Sequence, residues 1–272
     1  MIDTHCHLTF PEFRHDVRRV MDDARAAGVR AAITISTTTT DAGEARDIAH
    51  ADPRVVFSVG IHPSYADQPI DWARHAELSR DERCVAFGEL GLDEHHERPL
   101  PAVQERVLTE QLARIGCLRA EGVGKPLVVH CRKAVPRLLP VLRASGIPMD
   151  EMVFHCFTET ADEARQILDA GAWISFTGAA TFKNAAAIRE AAALVPADRV
   201  MVETDAPFLT PEPHRSVRPN APRFVGHVAE CLARVRGIDP EAFERQLDAN
   251  AVTFFGPALA AACAAPSPPP AP

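Results

Sequence analysis

Short apolar, β-branched runs alternate along this chain with amphipathic stretches. The runs are IDTHCHL at 2–8, AAITIS at 31–36, VVFSVGI at 55–61, CVAFGEL at 84–90, PLVVHCR at 126–132, MVFHCF at 152–157, AWISFTG at 172–178 and VMVETDA at 200–206. They have strand length and are apolar at both parities, the pattern of strands covered on two faces. Between them lie helix-like segments such as Phe13–Ala27, Val103–Ala120, Ala134–Ala144, Ala161–Ala170 and Ala185–Leu194. Strict alternation predicts parallel strands with helices outside. Eight such units favour a closed (β/α)8 TIM-type barrel over an open sheet.

Five of the runs end on side chains able to bind a metal: His5 and His7, then Glu89, His130, His155 and Asp205. Alternate residues of a strand share a face, so His5 and His7 point one way and Cys6 the other. A barrel gathers the C-terminal ends of its strands in one place, and barrel enzymes put their chemistry there. By the same parity Arg132 accompanies His130, Glu203 shares a face with Asp205, and Asp93 continues the face of Glu89 if that strand extends. His62 closes the run SVGIHP. Arg132, His62 and Arg215 are therefore candidates for substrate contact, and Glu203 and Asp93 for positioning the ligands.

This set suffices for two divalent ions about 3.5–4 Å apart, with Glu89 as the bridge. Lys133 has the parity opposite to His130 and Lys125 begins its strand, so neither is placed to bridge as a carbamate. Two dications, less two carboxylates and a bridging hydroxide, leave a positive centre that suits an anionic substrate such as a phosphodiester. Such ions would acidify the attacking water, and Asp205 is placed to accept its proton.

Composition narrows the class. A length of 272 residues fits one barrel domain, and no run approaches the ~18 apolar residues of a membrane helix. No basic segment precedes the start, and His5 and His7 interrupt it, so a secretory signal is not expected. Seven cysteines without a CxxC pair read as reduced thiols, which predicts a soluble protein of the cytoplasm with no membrane partner. Cys6, Cys131 and Cys156 each neighbour a histidine and are expected to pack against helices on the opposite face. A net charge of −8 excludes a broad basic surface for duplex DNA, so any nucleic-acid contact must be local. Lysine occurs only at 125, 133 and 183, leaving arginine for phosphate.

The motifs IDTHCHL, VGIHP, GELGLD, VVHCRKA, FHCFT, ISFTGAATFKNA and VETDAPFLTPEPHR occur in one order over nearly the whole chain. In these it resembles the TatD-type metal-dependent deoxyribonucleases, a branch of the amidohydrolase-like barrels. The resemblance implies a TIM-type barrel that hydrolyses DNA phosphodiester bonds, often from the 3′ end, with Mg, Mn or Zn. It implies that His5, His7, Glu89 and Asp205 hold one ion, and Glu89, His130 and His155 the other. DNA ends, single-stranded or frayed, are the implied substrate, and no obligate protein partner is readable.

The chain departs from that pattern outside the ligand set. Glu94, His95 and His96 follow GLD where aromatic residues are usual, Lys133 stands where an acid is common, and Ser216 follows Arg215 where glycine is common. Such loops leave open a hydrolase of a small amide, lactone or phosphate ester, and, from another class, an idle barrel used for binding.

Three further expectations concern the periphery. TPEPHRSVRPNAP at 210–222 is a restricted loop placed as a lid or substrate ledge. Phe208, Phe224 and Trp72 are candidates for stacking on bases or for the core, while His50 and His75 are expected in solvent. The barrel domain is expected over residues 1–262, with the Ala/Pro-rich segment 263–272, ending APSPPPAP, as a disordered tail.

Overall fold

Residues 1–267 are described by the structure, a computed structural model. The eight strands are β1 (Ile2–Cys6), β2 (Ala31–Thr34), β3 (Val55–Val59), β4 (Cys84–Asp93), β5 (Leu127–Arg132), β6 (Met152–Phe154), β7 (Trp173–Phe176) and β8 (Val200–Val202). They pair in chain order, all parallel. The sheet closes beyond the ends of β8 and β1, where Cys6 bridges Ala206, Asp205 N donates to His5 O at 2.9 Å and His7 N to Ala206 O at 2.8 Å. The seam of the barrel is thus made by the residues that carry His5, His7 and Asp205.

Outside the sheet run α1 (Val17–Ala26), α2 (Thr39–Ala51), α3 (Trp72–Ser79), α4 (Pro101–Ala120), α5 (Val135–Ala144), α6 (Ala161–Asp169), α7 (Ala186–Leu194) and α8 (Val225–Arg236), followed by α9 (Pro240–Phe255) and α10 (Pro257–Ala264). The first helix begins at Val17 rather than Phe13, because Phe13 and Asp16 close successive turns onto Phe10 O and Phe13 O. Phe13 is instead a buried anchor of that turn.

Inside the barrel, Ile2, Ile33, Val56, Val85, Val128, Val153 and Met201 pack with Phe255 and Leu259, so α9 and α10 plug the N-terminal end. This moves the boundary expected at 262. The helix runs on to Ala264, Cys263 belongs to the plug, and Ser267 Oγ accepts from Arg54 Nη1 at 3.2 Å. Arg54 is fully buried and paired with Asp52 and Asp22. The expected tail over 268–272 lies outside the described residues. No helix among the described residues is long and apolar enough to cross a membrane. All seven cysteines are free thiols.

Candidate metal centre

Strand β4 continues through Glu89 to Asp93, fully buried. Two glycines let it do so. Gly88 and Gly91 have φ of +123° and +153°, and a Cβ on either would collide with β5 backbone, at the carbonyls of Val128 and His130 respectively. The register shift between Phe87 and Leu90 in this stretch turns Glu89 toward the barrel mouth.

Glu89 lies between two clusters. Its Oε2 is 3.4 Å from His5 Nε2 and 3.9 Å from His7 Nε2. Its Oε1 is 2.6 Å from His155 Nε2, 2.7 Å from His130 Nδ1 and 3.2 Å from His62 Nε2. On the first side Asp205 Oδ1 adds contacts of 3.4 Å to His7 Nε2 and 3.7 Å to His5 Nε2. Burial opposes ionisation of Glu89, yet His155, His62 and His130 outweigh it and hold the carboxyl well below its usual range. Asp205 is likewise held down, burial being overcome by His7 and His5.

The donor set fits cations. His5 Nε2 faces His7 Nε2 at 3.3 Å, and His130 Nδ1 faces His155 Nε2 at 3.3 Å. Two imidazole nitrogens at that separation either share a proton or converge on a positive ion. His5/His7/Asp205 and His62/Glu89/His130 each form a group able to hold a metal ion. Imidazole with carboxylate suits zinc, manganese and iron alike.

A surrounding layer holds these side chains in place. Asp93 Oδ2 lies 3.2 Å from His130 Nε2 and 3.1 Å from His96 Nδ1, so His130 presents its Nδ1 to the centre. Burial of Asp93 is outweighed by His130 and His96, which lower its pKa. Glu203 accepts from Cys156 N at 2.6 Å and Ser175 Oγ at 2.7 Å, and stands 3.5 Å from His155 Nδ1. Burial works against protonation of His155, but Glu89 and Glu203 raise it well above the ordinary histidine value. Burial lowers His62, Glu89 opposing and His130 adding to the shift.

Several of these supports escaped the reading of the chain. Gln104 and Gln111, seven residues apart on the buried face of α4, clamp two strand ends. Gln104 bonds both the N–H and the carbonyl of Asp93 at 2.8 and 2.9 Å, and Gln111 does the same for Ile61, beside His62, at 2.8 and 3.0 Å. Amide side chains at 104 and 111 among apolar neighbours were the available signal. Asp3 spans the seam, accepting from Thr204 N at 2.9 Å and Thr204 Oγ1 at 2.5 Å. Burial pushes its pKa up to about 7 against those hydrogen bonds.

The centre opens into a cleft of about 660 Å³ lined by His7, His62, Glu89, His130, His155 and Asp205, together with Arg132, Asp93, His96, Phe10, Phe182 and Phe208. His62 was singled out for substrate contact, and the structure places it against Glu89 and His130 themselves. Arg132 is exposed on the wall. Arg215 stacks its guanidinium on Phe182 at 3.8 Å, outside the lining. The 210–222 loop is pinned rather than free, Asn220 Nδ2 donating to Thr204 O and Phe208 O.

Two expectations are corrected, at Cys156 and at His75. Strand β6 stops at Phe154 and Cys156 takes φ of +48°, so alternation lapses and its thiol lines the cleft beside Thr177 Oγ1 instead of packing on a helix. Cys6 and Cys131, inside or at the end of regular strands, do join the outer core. His75 is buried on α3, stacked on Phe87, while His50 pairs with Asp81 in solvent. Phe224 is buried and Trp72 packs beside Ile61, leaving Phe208 half exposed.

A parallel barrel whose strand ends converge histidines and carboxylates on one buried centre defines a metal-dependent hydrolase. The family model for TatD related DNase matches residues 2–256, and the chain belongs to that family. It is 35% identical over 258 residues to a protein of Escherichia coli strain K12 named uncharacterized metal-dependent hydrolase YcfH, covering 94% of this chain and 95% of that one. It is 34% identical over 268 residues to a protein of Enterobacter lignolyticus named 3′-5′ ssDNA/RNA exonuclease TatD, covering 95% of this chain and all of that one. Among solved structures, the TatD homologue YJJV of E. coli K12 superposes with a TM-score of 0.84 at 27% identity, over 94% of this chain and 97% of that one.

Proposed function

We propose that this chain is a two-metal deoxyribonuclease that removes nucleotides from single-stranded DNA ends in the 3′ to 5′ direction. The observation that carries the reading is Glu89, whose two oxygens face two separate groups of imidazole nitrogens. In this reading His5, His7, Glu89 and Asp205 hold one divalent ion, and Glu89, His130 and His155 the other, with Mg, Mn or Zn as the candidates. The ions would acidify water and neutralise charge on the phosphoryl oxygens.

The protein's own groups do the rest. Asp205 lines the cleft and is 15% exposed against 3% for Glu89, so its carboxylate can take the proton of the attacking water as a P–O ester bond breaks. Asp93 fixes the ring of His130, and Glu203 faces that of His155 at 3.5 Å. Arg132 faces the path of the phosphates, Arg215 stands at its rim, and His62 Nε2 supplies a nitrogen for a phosphoryl oxygen beside Glu89. The seven free thiols suit a reducing compartment, and the cytoplasm is the proposed place of action.

The reading is tested on a 3′-labelled single strand. Metal-stripped protein should release no mononucleotide, Mn²⁺ or Mg²⁺ should restore release, and Glu89→Ala should abolish it by about 10³-fold or more, the scale of losing a group that acts in the transition state. Equal rates for wild type and Glu89→Ala would end the proposal.

A further inference from the structure

Among the described residues, three large apolar side chains remain substantially exposed, Leu100, Leu194 and Phe208. Of these only Phe208 lines the cleft of the metal centre. A half-exposed phenyl ring in the mouth of a polar hydrolytic site forgoes burial energy that a barrel of this size has ample room to collect.

The backbone that carries the ring is held firmly. Phe208 N donates to Asp205 O at 2.9 Å, and its carbonyl accepts from the buried Asn220 Nδ2 at 2.5 Å. Asn220 N in turn donates to Pro207 O at 3.0 Å. Phe10 braces one edge, with ring centroids 6.0 Å apart at 82°. Phe10 itself stacks on His7 at 4.7 Å. A chain of three rings thus leads from a histidine of the centre to an open aromatic face, His7 and Phe208 being 6.4 Å apart. One sugar ring spans such a separation between a phosphate and its base.

The geometry points to Phe208, braced by Phe10, as the ledge on which the unpaired terminal nucleobase stacks while its phosphodiester enters the metal centre. This inference rests on the nuclease reading and specifies what that reading leaves open. Stacking accepts every base, because each has a π face, so the ledge confers no sequence preference. It does require the base to leave its partner. A frayed or single-stranded end is therefore accepted over a blunt duplex end, and the selection is made by Phe208 rather than by the cations.

The test compares kcat/KM, with Mn²⁺ present, on two single-stranded oligonucleotides that differ only in whether the terminal nucleotide carries a base. Wild type should favour the base-bearing end by roughly 5- to 150-fold, the range of one base–aromatic stack, chiefly through KM. Phe208→Ala and Phe208→Leu should bring the ratio toward one, and Phe208→Trp should keep it. The leucine variant retains the apolar bulk, so a loss there belongs to the π face and not to folding. An unchanged ratio in Phe208→Leu, or a wild type that ignores the base, overturns the ledge while leaving the nuclease intact. A wild type that cleaves neither oligonucleotide overturns both together.

Discussion

Glu89 meets five imidazole nitrogens within 4 Å in a setting that burial alone would drive toward the neutral acid, and it is those contacts that keep it charged. Asp93 works one step further out, fixing which nitrogen of His130 enters the centre. Asp93→Asn keeps the shape but removes the charge that holds that tautomer, and should weaken Mn²⁺ affinity or nucleotide release by about 10- to 100-fold. Direct metal titration of the variant checks this, and an unaltered affinity with unaltered turnover would remove Asp93 from the account. Residues of this kind were legible from alternation where a regular strand carried them, as with His130, and from their place at the end of an apolar run where the strand shifts register, as with His5 and Glu89. Alternation misled at Cys156, where the strand had already ended and a left-handed residue set the direction. It was silent on His75, whose burial depends on how α3 lies against β4.

At the scale of elements, the centre depends on strand ends that are tied down from outside. The seam between β1 and the segment after β8 is closed by backbone bonds and by Asp3 on Thr204, so His5, His7 and Asp205 move together. Strand β4 approaches β5 closely enough that Gly91 has no room for a methyl group. Gly91→Ala should therefore push the two strands apart, at a cost of about 1–3 kcal/mol from the backbone conformation alone, with displacement of His130 added. Denaturant unfolding together with metal affinity reports both effects, and a variant matching wild type in each would contradict the close approach. The order and number of strands could be read from the chain, since periodicity determines them. The glutamine clamps of α4 could not, because which strand end a helical amide meets is decided by the barrel's closure.

For the whole molecule, the C-terminal helices plug one end of the barrel and the metal centre occupies the other. Composition hid the first of these. The Ala-rich run that appeared unable to fold by itself is ordered through Ala264, because the barrel offers it an apolar end to cover. Burial also builds in a pH dependence. Desolvation, with Arg114 adding, lowers His75 to about 4, and its Nε2 has no hydrogen-bond partner. Between pH 6.5 and about 4 the unfolded chain takes up a proton at His75 that the folded chain refuses, so stability falls as the pH falls across that window. The loss is on the order of 3 kcal/mol. Unfolding measured from pH 8 to pH 4 should show wild type losing more stability than His75→Phe on the acid side, and parallel curves would refute the assignment.

Near the barrel mouth Arg132 first, then slight desolvation and Lys133, depress the pKa of the exposed His95. Under the proposed function Glu89 joins two cation sites into a single hydrolytic centre. Adding Mn²⁺ in measured equivalents to metal-stripped protein, while following nucleotide release from a 3′-labelled single strand, puts that arrangement to the test. Activity should rise to its plateau at two equivalents per chain. A plateau already complete at one equivalent, or no release with two ions demonstrably bound, would contradict it.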